Sequence, residues 1–186
     1  INSGMIATAP ANVPTLSAPT DEPVAGNYFV AAYPPFSAWD PAQVSALHEA
    51  LAQPALAAPI GLYVHLPFCQ KKCDYCYYLS YIAQPAAVVD RYLDAVVREM
   101  ELYAAQPGVK GRPVSFAYFG GGTPSTLSSA QVRRLGDGLR RALAWGSIEE
   151  VTFECAPRSV RREFLESLRE MGVTRVSMGV QSFDNE

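Results

Sequence analysis

Charge of either sign is scarce in this sequence. Charged residues make up 18% of the 186 residues, the formal net charge is −3, and the first basic side chain is Lys71. Without a stripe of lysine and arginine, the sequence indicates no nucleic-acid partner. Long apolar runs are also lacking, since none approaches the roughly 20 residues of a membrane-spanning helix. The first residues have no basic region of the kind that begins a signal peptide. We therefore expect no membrane span.

Cysteine and histidine are few, with 4 and 2 copies in the chain. Three of the cysteines, Cys69, Cys73 and Cys76, nevertheless fall within eight residues. Such spacing favours a metal centre over a disulfide framework, and metal-binding thiolates are typical of a reducing compartment. We therefore predict a metal-binding loop in a cytoplasmic protein.

Composition divides the chain into three regions. Residues 1–26 are rich in Ala, Pro, Ser and Thr without a hydrophobic period, which predicts a disordered leader. Residues 27–59 hold an aromatic segment around a Pro-Pro pair and then a short helix, predicted over 41–53. We expect the aromatic segment to pack against the domain, with a lid or binding strap as the alternative. Residues 60–186 form one domain. Because the chain starts without Met and would stop at an open sheet edge, we expect a fragment.

Residues 60–186 alternate between apolar strands and helices. Strands are predicted over 60–66, 114–119, 151–155 and 175–180, and each gap between them carries apolar residues at helical spacing. Parallel strands need such helical crossovers, so the pattern predicts an α/β fold made of parallel βα units. Four strands are about half of an eight-stranded barrel.

Serine and glycine mark the ends of the predicted helices. Ser128 or Ser129 is expected to cap the helix after the second strand, and Ser159 the helix after the third, because serine accepts hydrogen bonds from free N–H groups at a helix start. Gly172 is expected to end that last helix, since glycine readily adopts the left-handed conformation found there.

The loop after the first strand carries the clustered cysteines, separated by three and two residues. Thiolates select iron–sulfur clusters, zinc or Cu(I). A zinc site would be completed by Cys155 or His65, but zinc ribbons use two Cys-x-x-Cys pairs and this chain has one. The loop also follows the carboxyl end of a strand, where barrel enzymes build active sites. We therefore favour a four-iron cluster, in which three cysteines leave one iron open to a chelating molecule.

Glycine or polar residues follow the other three strands. Gly120-Gly121-Gly122 precedes Thr123 after the second strand, and three glycines allow a close approach of backbone to a ligand. Glu154 ends the third strand, where it pairs with an arginine such as Arg158 or accepts hydrogen bonds from a ligand. Gln181 follows the fourth strand. Because the carboxyl ends of parallel strands meet at one edge, we expect these groups to face the cysteine loop.

Several motifs together resemble one known family. The strings YVHLPFCQKKCDYC, GGGTPS and RVSMGVQSFD, with Glu154 followed by Pro157, are similar to the oxygen-independent coproporphyrinogen III oxidase-like (HemN/HemW-like) family of radical S-adenosylmethionine (SAM) enzymes. The resemblance covers about residues 60–186. It implies a partial (βα)6 TIM-like barrel, of which this chain holds roughly the first four βα units. It also implies a [4Fe-4S] cluster on the three clustered cysteines, with SAM on the open iron.

The resemblance further implies residue roles, a reaction and partners. The positions that contact SAM in that family match Tyr63, Tyr75, Gly121, Gly122, Thr123, Glu154 and Gln181. The implied reaction is the oxidative decarboxylation of two propionates of coproporphyrinogen III, which gives protoporphyrinogen IX in haem biosynthesis. The small-molecule partner would be a porphyrinogen or haem, and the electron donor a flavodoxin or ferredoxin.

One departure from the family pattern bears on the substrate. The coproporphyrinogen enzymes usually carry a fourth cysteine two residues after the third, and Tyr78 stands at that position here. Family members without this cysteine include haem chaperones of the HemW type and radical SAM methyltransferases, so both stay open as alternatives. Cys155 replaces a more usual small or acidic residue, and we expect a buried thiol. His65 matches a family histidine, with hydrogen bonding near the loop and catalysis as its two possible roles.

Overall fold

Six strands lie in the part of the chain that the computed structural model describes, residues 40–76, 78–146 and 148–182. They are β1 (Ile60–Leu66), β2 (Phe68–Cys69), β3 (Tyr81–Ile82), β4 (Val114–Gly121), β5 (Glu150–Cys155) and β6 (Arg175–Met178). Four of them form a parallel sheet in the order β1-β4-β5-β6. The other two, β2 and β3, form a small parallel sheet that the sequence did not predict.

Four helices lie in the described residues, and the last three link the strands of the larger sheet. They are α1 (Val44–Ala52), α2 (Ala86–Ala104), α3 (Ser129–Ala142) and α4 (Arg162–Met171), with short 3-10 turns at Pro41–Gln43, Pro124–Thr126 and Pro157–Ser159. α2 precedes β4, α3 precedes β5 and α4 precedes β6, so each parallel neighbour is reached through a helix. The predicted alternation of parallel strands and helical crossovers is therefore confirmed. Among the described residues, no helix is both long and apolar enough to cross a membrane.

The larger sheet has one apolar face and one face that carries polar and aromatic groups. Alternate side chains of a strand point to opposite faces. In β1, Leu62, Val64 and Leu66 are buried in the core with α2, α3 and α4, whereas Tyr63 between them is 56% exposed. We call the second side the open face. Its side chains include Tyr63, His65, Phe116, Tyr118 and Glu154.

Two of the predicted helix ends are confirmed. Ser128 caps α3 through a reciprocal pair of hydrogen bonds: its Oγ accepts from the N–H of Gln131 at 3.2 Å, and the Gln131 side chain accepts from the N–H of Ser128 at 2.9 Å. Gly172 ends α4 in the left-handed conformation, with φ of 87°. Both ends therefore follow from the local sequence, because each depends on the chemistry of a single side chain or its absence.

The prediction that Ser159 caps the last helix is wrong. α4 begins at Arg162, and Ser159 ends the 3-10 turn that precedes it. The Ser159 hydroxyl donates to the carbonyl of Ala156 at 2.8 Å and lies 2.5 Å from the hydroxyl of Ser125, so it joins two loops. The Ser159 hydroxyl, which the local sequence predicted as a helix cap, is therefore used in a long-range contact with Ser125.

Other boundaries differ modestly from the predictions. The second predicted strand continues to Gly121, and the fourth stops at Met178 instead of residue 180. The short N-terminal helix begins at Val44, and two of its apolar side chains are exposed, since 54% of Val44 and 51% of Leu47 are accessible. The predicted leader and most of the aromatic segment lie outside the described residues.

The close packing of α3 against α2 generates a stability prediction. A Cβ on Gly138 would collide with both methyl carbons of Val97, a β-branched side chain that cannot easily turn away. We expect Gly138→Ala to lower the free energy of unfolding by about 1–3 kcal/mol through overpacking, although alanine favours a helix. Urea denaturation monitored by circular dichroism measures this change.

The control is Gly136→Ala on the same helix. Its Cβ would meet Cγ of Met171 at 2.8 Å, and methionine is flexible enough to move aside, so the loss should be smaller. Truncation of the opposing side chain by Val97→Ala should make Gly138→Ala less harmful. A Gly138→Ala variant as stable as the parent would contradict this account of the α2–α3 contact.

Candidate functional site

The cysteine loop is closed at its base by the small sheet. β2 ends at Cys69 and pairs with β3 beyond the last cysteine of the loop. The N–H of Tyr81 donates to the carbonyl of Pro67 at 2.8 Å, and the N–H of Ala83 donates to that of Cys69 at 2.9 Å. Because both ends of the loop are hydrogen-bonded to each other, the intervening residues project together from the carboxyl end of β1.

All three loop cysteines are free thiols accessible to a ligand. Cys73 is exposed, and Cys69 and Cys76 are half-buried. Within the loop, the N–H of Cys76 donates to the carbonyl of Cys73 at 3.0 Å, which turns the chain between the second and third thiol. Three soft ligands on one short loop are suited to iron–sulfur clusters or zinc.

A glycine-rich turn after β4 lies directly against this loop. The N–H of Gly122 donates to the carbonyl of Leu66 at 2.9 Å, and the N–H of Thr123 donates to that of Phe68 at 2.8 Å. The Thr123 hydroxyl donates to the sulfur of Cys69 at 3.4 Å. A Cβ on Gly122 would stand 2.9 Å from the Cys69 sulfur and 2.8 Å from the Phe68 carbonyl oxygen, so only glycine fits this contact.

Each glycine of the turn makes room for a different neighbour. A Cβ on Gly120 would meet the Glu154 carboxylate at 3.1 Å, and one on Gly121 would meet the His65 ring at 2.8 Å. Positive φ is confined to Gly121, at 118°, among the three. The sequence predicted a close approach of backbone to a ligand. In the structure, the space beside Gly120 and Gly121 that a Cβ would fill is occupied by side chains of the protein itself, Glu154 and His65.

Glu154 is oriented by two donors from β4. Its Oε1 accepts a hydrogen bond from the hydroxyl of Tyr118 at 2.6 Å, and its Oε2 accepts one from the N–H of Gly121 at 3.2 Å. The hydrogen bond to Glu154, followed by burial, raises the pKa of Tyr118 to about 12, so this hydroxyl remains a donor near neutral pH. Among the described residues, no ion pair joins Glu154 to Arg158. Its carboxylate is therefore held by neutral groups.

A cavity of about 370 Å³ collects most of the predicted site residues at this edge of the sheet. Seven of the ten predicted residues line it: Cys73, Tyr75, Cys76, Gly122, Thr123, Glu154 and Gln181. Gln181 adopts a positive φ of 67° just beyond β6, a conformation uncommon for a residue with a side chain. The predicted convergence of four strand ends is therefore observed in the structure.

The other three predicted residues do not line this cavity, and Tyr63 lines a separate one of about 290 Å³. Cys69 touches the glycine turn, and the N–H of Gly121 holds Glu154. Tyr63 is on the open face, where its ring stacks on Tyr118 with centroids 6.1 Å apart and its hydroxyl lies 3.1 Å from Nδ1 of His65. Burial, and then the charge of Glu154, raises the pKa of Tyr63.

The thiol of Cys155 differs from the thiols of the loop. It is buried, as the sequence predicted, and 5% of the residue is exposed. Burial raises the pKa of this thiol to about 11. Among the described residues, no three His, Cys, Asp or Glu side chains converge closely enough to bind one metal ion. A single zinc ion would require sulfur ligands about 2.3 Å from a common centre, whereas the cysteines of a cluster bind separate irons.

Sequence reasoning missed two residues that organise this site. Tyr118 holds Glu154, and Ser125 accepts a hydrogen bond from the N–H of Ala156 at 2.9 Å, which ties the glycine-rich segment to the loop after β5. The period-two pattern of β4 could have placed Tyr118 on the same face as the ligand groups, two residues before the glycines. Ser125 ends the GGGTPS string, but no local signal indicates its role, since its partners lie 31 and 34 residues away.

Comparisons with known proteins agree with this geometry. The model of the Radical SAM superfamily matches residues 63–186. The chain is 40% identical over 128 residues to the oxygen-independent coproporphyrinogen III oxidase of Escherichia coli strain K12, covering 69% of this chain and 28% of the relative. It is 35% identical over 128 residues to the heme chaperone HemW of the same strain, covering 69% of this chain and 33% of that protein.

A solved structure gives the same result. The structure described as "Coproporphyrinogen III oxidase (HemN) from Escherichia coli is a Radical SAM enzyme" matches with a TM-score of 0.65 and 36% identity, over 75% of this chain and 32% of that one. The chain belongs to the radical SAM superfamily and, within it, to the HemN/HemW-like family. The predicted fold class is thereby confirmed. The chain spans about a third of the length of the curated relatives it matches.

The contrast between the cysteines generates a chemical prediction. At pH 8 a thiol with a pKa of about 11 is ionised to only about one part in a thousand, and the thiolate is the reactive form. In folded, metal-free protein we expect iodoacetamide to modify Cys73 well before Cys155, as measured by peptide mass mapping over time. Denaturation in urea should remove the difference. Equal rates in the folded protein would show that Cys155 is not buried.

Proposed function

We propose that the chain carries the cluster-binding part of a radical SAM enzyme, with Cys69, Cys73 and Cys76 as ligands of a [4Fe-4S] cluster. The observation that carries the proposal is the cavity that brings two of these cysteines together with Glu154 and Gln181. The residues fit the group, because the donors are soft thiolates and Gly122 leaves the Cys69 sulfur the space that a Cβ would fill.

SAM is the second proposed ligand of the cavity. With SAM bound at its open iron, the cluster would supply an electron for cleavage of the SAM sulfonium bond, which is the start of radical chemistry. The chain's own groups would bind and orient SAM. Glu154 keeps lone pairs free on both oxygens for ribose hydroxyls or the ammonium group, and Gln181 offers an amide that donates and accepts. Thr123 and the Gly121–Gly122 backbone would contact the methionyl part.

For the reaction we propose oxygen-independent oxidation of coproporphyrinogen III, with loss of carbon dioxide from two propionates. This proposal draws on the 40% identity to the Escherichia coli oxidase. A flavodoxin or ferredoxin is the proposed electron donor. The matched region is about a third of the length of the relatives. The comparison therefore does not cover substrate contacts made by the remaining two thirds, and these are proposed by analogy with the oxidase.

A haem chaperone of the HemW type is the second candidate. Two observations favour it. The first is Tyr78, which stands where the resemblance to the oxidases would place a fourth cysteine, and its side chain is 49% exposed beside the loop. The second is the similarity of the chain to HemW, with 35% identity to the Escherichia coli protein and 38% identity over 125 residues to that of Bacillus subtilis strain 168. In this case the cluster would be retained, and haem would be bound without decarboxylation.

The cluster generates the first test. After anaerobic reconstitution we expect about four irons and four sulfides per chain, and Cys73→Ser should remove most of them because an exposed ligand is lost. Iron and sulfide analysis with electron paramagnetic resonance measures this. Cys155→Ser is the matched control and should retain the cluster, since its thiol lies outside the loop. Bound zinc without labile sulfide would contradict the proposal.

The two candidate functions are separated by a second test. Full-length protein is incubated anaerobically with coproporphyrinogen III, SAM and dithionite, and the products are resolved by chromatography. The oxidase predicts protoporphyrinogen IX together with cleavage of SAM. The chaperone predicts no decarboxylated product and stoichiometric binding of haem by the same preparation. Protoporphyrinogen formation excludes the chaperone, and its absence with tight haem binding excludes the oxidase.

A further inference from the structure

We infer that Tyr118 is a positioning residue for the SAM site, holding the Glu154 carboxylate in the orientation that meets the ligand. The inference rests on the proposed function, since it concerns how the cavity would bind SAM. Tyr118 belongs to none of the sequence motifs of the site. It enters through its hydrogen bond to Glu154, which at 2.6 Å is the short contact typical of a hydroxyl and a carboxylate.

Two hydrogen bonds, one to each oxygen, hold the Glu154 carboxylate in a single orientation. Tyr118 holds Oε1 and the N–H of Gly121 holds Oε2, and both donors come from the strand next to β5. A carboxylate oxygen can accept more than one hydrogen bond, so each oxygen retains capacity on the side away from its donor. Without the Tyr118 hydroxyl, Oε1 would have no partner among the described residues, and the carboxylate could rotate about its last torsion.

The ring of Tyr118 is itself confined. It stacks on Tyr63 at 27° between ring planes, and it packs at 35° against Phe116 with centroids 6.3 Å apart. On the side of the glycine turn, a Cβ on Gly120 would stand 2.8 Å from the Tyr118 ring and 3.1 Å from the Glu154 carboxylate. The hydroxyl and the carboxylate therefore meet above a glycine that leaves room for both.

The donors around Glu154 also preserve its negative charge for the ligand. A hydroxyl and an amide N–H are neutral, whereas an arginine partner would compensate the carboxylate before SAM arrives. SAM carries an ammonium group and a ribose diol, which are the donors that an uncompensated carboxylate accepts. A tyrosine hydroxyl is protonated near neutral pH, and the hydrogen bond to Glu154 raises the pKa of Tyr118 further, to about 12, so Tyr118 acts as a donor and not as a competing anion.

Tyr118→Phe tests the inference because it removes the hydroxyl and keeps the stacked ring. In reconstituted full-length protein we expect the Kd for SAM to rise about tenfold, since the carboxylate loses one of the two hydrogen bonds that orient it. Equilibrium dialysis with labelled SAM measures binding without turnover. Iron and sulfide content should match the parent. Ser167→Ala, which removes a buried hydroxyl that donates to the carbonyl of Phe164 within α4, is the control and should leave the Kd unchanged.

A double-mutant cycle separates positioning from a general structural effect. In a Glu154→Ala background the Tyr118 hydroxyl has no carboxylate to hold, so adding Tyr118→Phe should change the Kd by less than about twofold. An equal penalty in both backgrounds would overturn the inference, as would a Tyr118→Phe protein that binds SAM like the parent. If the parent itself holds a cluster but binds no SAM, the proposed function fails, and the inference fails with it; that result is distinct from the other two.

Discussion

The contact between the glycine turn and the start of the cysteine loop is the constraint on which the site depends. Gly122 touches the backbone of residues 67 and 68 and the sulfur of Cys69 at distances that leave no room for a Cβ. Two backbone hydrogen bonds fix this contact, from Gly122 to Leu66 and from Thr123 to Phe68. β1 and β4 are paired in register up to Leu66 and Gly121, so the cysteine loop and the glycine turn begin side by side at the same edge of the sheet. The first thiol is thus positioned by these backbone contacts together with the hydroxyl of Thr123.

The rest of the site extends this arrangement across the sheet. The same turn that meets Cys69 holds Glu154 through Gly121, and Ser125 joins it to the loop after β5. One segment of six residues therefore contacts three strand ends. The apolar side chains of the strands pack against the helices, and because side chains alternate between the two faces of a strand, the polar groups lie on the open face. The same alternation along the strands therefore forms both the core and the site.

Local sequence predicted the features that depend on one residue or one run. Proline on both sides of the first strand bounded it at Ile60–Leu66, and Ser128 and Gly172 marked helix ends by their own chemistry. The errors arose where a distant partner decides. Ser159 bonds to Ser125 instead of a helix start, the β2–β3 pairing joins segments 13 residues apart in register, and Tyr118 takes its role from a carboxylate 36 residues away.

The small β2–β3 sheet has a consequence for assembly. Closing a flexible loop costs conformational entropy, and a ligand that must close it spends part of its binding energy on that ordering. Here the backbone bonds Tyr81 to Pro67 and Ala83 to Cys69 close the loop within the protein itself. The ends of the loop are thus preorganised, so the proposed cluster would have only the interior of the loop to order. Loss and reinsertion of its iron and sulfide would then leave the surrounding sheet unchanged.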